Sequence, residues 1–126
     1  MPKAFKRTVW PLAVLLVALL AGQAMAADKR ILFVNSSDKE IKGIFLAPAG
    51  TPTVGPGWGK NLLTKWKLKP GRKIDIAVPH DKQNCMWDLK YVARQKMAYT
   101  IKNVDICNAV EIDLYVENEQ AWATVK

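Results

Sequence analysis

Read as polar and apolar positions, the chain has three textures. Val9 to Ala21 is apolar almost without a break, and Ala47 to Gly59 has no period at all. Most of the remainder alternates with period two, the signature of half-buried strands, and no long 3.6-residue periodicity is present. Arg30 to Asn35 predicts a first strand, ended by the turn formers Asn35-Ser36-Ser37-Asp38. Ile41 to Leu46 predicts a second, and the spacing of the two reads as a hairpin. Thr64 to Leu68 is a strand candidate, closed by the turn Lys69-Pro70-Gly71. Arg72 to Val78 alternates cleanly, with Ile74, Ile76 and Val78 on one face. Cys85 to Arg94, Met97 to Val104, Val110 to Val116 and Ala121 to Val125 complete the set. Seven to eight short strands joined by polar or Pro/Gly turns predict an all-β fold, a small antiparallel β-sandwich or barrel.

The two exceptional stretches have different meanings. Lys3, Lys6 and Arg7 precede the apolar run, and Ala24-Met25-Ala26 follows it with the small-x-small pattern of a signal-peptidase site. A spanning helix needs about 20 apolar residues; this run is shorter and contains Pro11. The expectation is a cleaved export signal over 1–26, a single domain over 27–126 and no transmembrane segment after cleavage. The second stretch, with Pro48, Gly50, Pro52, Gly55, Pro56, Gly57 and Gly59, is a loop. Loops this long in small domains are often functional.

Export changes how the composition reads. The signal carries three of the 19 Lys and Arg and none of the 11 Asp and Glu, so its loss lowers the net charge from +8 to +5. That is basic, but no nucleic-acid partner is expected from it. The expected location is the periplasm or the external medium. In such an oxidising compartment the two cysteines, Cys85 and Cys107, are expected to form one disulfide. They lack the C-x-x-C spacing of a redox pair.

Catalytic chemistry has little to stand on. The residues after the signal include two serines, Ser36 and Ser37, both in a predicted turn, and one histidine, His80, beside Asp81. No nucleophile elbow or oxyanion loop is recognisable. One histidine and two oxidised cysteines do not make a zinc site, and no Asp-rich loop offers calcium ligands. Asp75, Asp88, Asp105, Glu111 and Asp113 fall mostly on outward positions and read as a solvated face. No catalytic residue, metal or cofactor is expected.

The distinctive chemistry is basic. Lys60, Lys65, Lys67, Lys69, Arg72 and Lys73 lie in 14 residues with no acid among them, interleaved with Trp58 and Trp66. Cations with aromatics suit an anionic ligand. A strand with Lys65, Lys67 and Lys69 on one face and Trp66 and Leu68 on the other is also a half-buried strand whose lysine row guards an edge. Trp58, Trp66, Trp87 and Trp122 read as core or loop anchors, or as a surface pair on which a sugar would stack.

The order of these signals has a parallel. Val34-Asn35-Ser36-Ser37, Trp58-Gly59-Lys60-Asn61-Leu62-Leu63, Leu68-Lys69-Pro70-Gly71, Cys85-Met86-Trp87-Asp88-Leu89-Lys90 and Val104-Asp105-Ile106-Cys107 follow one another. The set resembles a family of small exported bacterial proteins with V-N-x-T, W-G-x-x-L-L, P-G, C-x-W-D-L-[RK] and V-x-[LI]-C segments. The resemblance implies an exported β domain with paired cysteines and supplies no catalytic residue. This chain differs in its lysines around the W-G-x-x-L-L segment and in Lys90 where arginine is common.

The sequence therefore leads to a non-enzymatic binding module. Its expected surface is the Ala47–Gly59 loop with Trp58 and the basic stretch, and its partner a protein or an anionic envelope component. The alternative is a small inhibitor or immunity-type partner that plugs another exported protein.

Overall fold

A computed structural model describes residues 29–64, 67–79 and 81–126. The signal segment with its cleavage after Ala26, and also Lys65, Trp66 and His80, lie outside the described residues. Seven strands form: β1 (Lys29–Asn35), β2 (Ile41–Pro48), β3 (Lys73–Val78), β4 (Met86–Ala93), β5 (Ala98–Asp105), β6 (Glu111–Glu117) and β7 (Gln120–Val125). A short 3₁₀ turn at Arg94–Lys96 joins β4 to β5.

The strands make two sheets, ordered β3-β1-β6-β7 and β2-β4-β5. Their facing sides carry the residues that the alternation marked as inward. Ile31, Phe33, Ile76, Val78, Ile112, Leu114 and Val116 come from the first sheet. Ile44, Leu46, Leu89, Tyr91, Ala93, Tyr99 and Val104 come from the second. The all-β class holds, and every strand pairing is antiparallel except β1 with β6, which is parallel.

Two local expectations are corrected. The first two strands do not form a hairpin, because β1 and β2 lie in different sheets. The connection Ser36–Glu40 is an arch over the end of the sandwich. Backbone bonds explain it. The Asn35 N–H donates to Arg72 O, Gly71 N–H donates to Asn35 O, and Ser36 N–H donates to Leu114 O. The end of β1 is thereby held in the first sheet while the chain turns away. The Thr64–Leu68 candidate is likewise not a strand among its described residues. Leu68 alone pairs, by an isolated bridge to Ile41.

Residues 59–63 and Leu68 cap the outer edge of β2. Gly59 N–H donates to Leu46 O, and Leu62 N–H donates to Ile44 O. Asn61 supplies the missing partners with its side chain, accepting from Ile44 N–H at 3.1 Å and donating to Lys42 O at 3.2 Å. Bare edges invite pairing with other chains, and this one is covered by the W-G-K-N-L-L segment. A Cβ on Gly59 would meet Leu46 O at 3.3 Å, so the cap lies closest with glycine there.

Cys85 and Cys107 are bonded, 22 residues apart, and tie the start of β4 to the turn after β5. Among the described residues no helix is long and apolar enough to cross a membrane.

Candidate functional site

The described basic residues lie on one seam, where the outer edges of β2 and β3 face each other and residues 59–64 and 67–72 lie between them. Lys60 lines a shallow depression of about 210 Å³ with Leu46, Leu62, Ala77 and Pro79. Gly59 bonds to Leu46 and Leu68 to Ile41, points roughly 17 Å apart along β2 at the rise of a strand. Lys69 borders a second depression of about 380 Å³ with Pro70 and Arg94. Lys60, Lys67, Lys69, Arg72 and Lys73 are all exposed. Lys67 approaches Glu40 at 3.9 Å. The other four make no ion pair among the described residues. The structure thus brings these cations to one side of the molecule as a string, not as one patch. Lys65 lies outside the described residues.

Trp58 is half-buried and engaged within its own loop. Its indole N–H donates to Pro52 O at 2.9 Å, and the Lys90 ammonium sits 4.2 Å from its ring centroid. Lys90 also donates to Thr53 O. Trp58 and Lys90 therefore clamp the Pro/Gly loop to the outer face of β4. A cation over an indole at this distance is attracted by the ring quadrupole.

Asp88 completes the clamp and departs from the solvated position expected of it. It is buried, with one carboxylate oxygen accepting from Gly50 N–H at 3.1 Å and the other from Asn103 N–H at 3.0 Å. Gly50 has φ +91° and Asn103 φ +59°, so both amides are presented by left-handed residues. Asp113 is buried as well, paired with Lys126 at 3.3 Å. Glu111 shares the same ammonium at 3.1 Å, and both carboxylates hold the Lys126 pKa above its ordinary value. Asp75 meets Arg30 at 3.0 Å on the exposed face of the first sheet.

Comparison with family models, curated proteins and solved structures finds no match. What the chain can do must be argued from its own groups.

The serines do not form a nucleophilic assembly with described residues. Ser37 Oγ lies 2.6 Å from Asn35 Oδ1 and accepts from Lys39 N–H at 3.2 Å. The Asp81 carboxylate accepts from Gln83 N–H at 2.9 Å. Cys85, Asp105 and Cys107 converge closely enough to hold a metal, but the two sulfurs are bonded to each other. The side-chain amide of Asn108 donates to Asp105 and holds its carboxyl below the usual carboxylate range.

Proposed function

We propose that the protein is a non-enzymatic binding module, exported to the periplasm or beyond, whose basic seam holds an anionic partner. The observation that carries this reading is the placement of Lys60, Lys69, Arg72 and Lys73. They are exposed, unpaired among the described residues, and mounted on a segment anchored to β2 and on the start of β3. Cations mounted on an anchored backbone keep their spacing, which lowers the ordering cost of binding. The disulfide supports export, as does the resemblance of the ordered segments to those of small exported bacterial proteins.

The expected partner is an anionic envelope component. Binding to anionic-lipid vesicles and to a soluble polyanionic glycan should weaken at least about tenfold from low to high salt, because screened surface charges carry it. The triple change Lys60→Glu, Lys69→Glu, Arg72→Glu should abolish it. Binding that survives those changes would sink the seam assignment.

One observation favours a second reading, a plug for another exported protein. Val54 is 85% exposed at the tip of the braced loop. An apolar tip on a stiff loop suits insertion into a pocket. Such binding would be nearly independent of salt and would fail in Val54→Asp.

A further inference from the structure

The end of the sandwich farthest from the disulfide holds a cleft of about 700 Å³, between the Ser36–Glu40 arch and the β6–β7 hairpin. Tyr99, Tyr115 and Trp122 line it. Tyr115 and Trp122 are cross-strand partners whose rings stack with centroids 5.1 Å apart and planes 3° from parallel. Trp122 still exposes 41% of its surface, and Met97 in the same lining exposes 37%. An open aromatic platform of this kind presents π surface to a ligand.

The charges around it are unlike those of the rest of the molecule. Among the described acids, Glu40, Asp75, Glu111 and Asp113 are ion-paired. Asp81, Asp88 and Asp105 accept hydrogen bonds. The remaining three, Asp38, Glu117 and Glu119, do neither among the described residues, and all three line this cleft. Lys39 is the cation in the same lining. A chain of net charge +8 thus gathers its unengaged carboxylates around its exposed aromatics.

We infer that this cleft binds an organic cation, an alkylammonium or guanidinium group, held against the Trp122 ring and neutralised by Glu117 and Glu119. Aromatic faces attract such cations, and the carboxylates supply the charge. The aromatic rings and Met97 in the lining suit a cation on a carbon skeleton better than a bare metal ion. The turn that carries Glu119 points the same way. Asn118 and Glu119 both have positive φ, +51° and +64°, in a two-residue turn where glycine at the second position is the relaxed choice. Glycine there would remove the carboxylate. This site adjoins the basic seam, sharing Asp38, Lys39 and Met97 with the depression beside Lys69, but does not depend on the reading of that seam.

The group has two sources, a free polyamine or a lysine or arginine side chain of a protein. Calorimetric titration of the purified protein with spermidine, with a short Arg- and Lys-containing peptide and with maltotriose separates them. At least one of the two cationic probes should bind saturably, more weakly at high salt, and the neutral sugar should not. Trp122→Ala and the double change Glu117→Gln, Glu119→Gln should each lower affinity by about fivefold or more. The second is nearly isosteric at exposed positions and keeps the fold. Lys69→Glu on the seam should leave affinity unchanged or raise it. No saturable binding of either cation overturns the inference. So does affinity untouched by both variants, or binding of the sugar in place of the cations.

Discussion

Asn35 has no exposed surface, yet its amide is fully partnered. Its NH₂ donates to Lys39 O at 2.6 Å and Leu68 O at 2.8 Å, while its Oδ1 accepts from Ser37 N–H at 3.0 Å. One side chain thereby fixes the arch, the edge cap and the end of β1. Asn35→Ala would leave the Ser37 N–H without its partner and take one of two donors from Lys39 O and from Leu68 O, a loss of about 1–3 kcal/mol. Asn35→Asp should be worse at neutral pH, because a carboxylate would face the two carbonyls. Burial against them raises the folded pKa of that Asp above its unfolded value near 4. Its deficit should therefore grow as pH rises above about 4 and shrink below. Urea denaturation at two pH values checks both. Asn35 was legible as a turn former but not as a buried hub, because turn-forming side chains are more often exposed. Asp88 was misread for a related reason. Period two places it on the outward face, and nothing local shows that a distant loop folds over that face to bury it.

Among elements, the β6–β7 hairpin joins stability to recognition. Glu119 occupies the left-handed region at φ +64°, which costs a non-glycine residue about 1–2 kcal/mol. Glu119→Gly should raise the unfolding free energy by about 1 kcal/mol while weakening binding of the cation in the adjoining cleft. A variant that is more stable in urea and poorer in titration is the expected pair of results. The edge cap gives the opposite case. Asn61→Ala should leave Ile44 N–H and Lys42 O without their partners. The change should cost about 1–3 kcal/mol and produce concentration-dependent association, visible by light scattering, as the β2 edge opens. All seven strands are visible in the alternation, to within a few residues at their ends. Their partners are not. The same pattern fits β2 paired with β1 or with β4, and the choice is made by Asn35 and its long-range backbone bonds. The basic stretch was legible as a composition. Its spread along the seam follows from the cap geometry, which sequence spacing does not contain.

For the molecule as a whole, the question is what keeps two small sheets together. The Tyr91 hydroxyl crosses between them, donating to Tyr115 O at 2.7 Å. Burial pushes its pKa far above that of an ordinary phenol. The unfolded phenol ionises near 10, so the contribution of Tyr91 is complete below that pH and is lost as pH rises toward the folded value. Tyr91→Phe should cost about 1 kcal/mol at neutral pH and remove this alkaline slope. At the other end of the sandwich a covalent bond ties β4 to the crossover that leaves β5, in the same sheet, for β6 in the other. The Cys85–Cys107 bond closes a loop of 22 residues, worth about 3 kcal/mol in the chain-entropy account. Around it the core is one layer between two sheets, and domains of this size have about 5–10 kcal/mol in total. Reduction should therefore lower the urea midpoint by a third or more. It should loosen first the turn carrying Cys107, which Lys29 and Asp105 also brace, the former by donating to Cys107 O. Equilibrium unfolding with and without reductant measures the shift. The double change Cys85→Ala, Cys107→Ala should start at the reduced midpoint and show no further shift with reductant. A wild-type midpoint indifferent to reductant would mean that the bond adds nothing to the contacts that already hold the turn after β5.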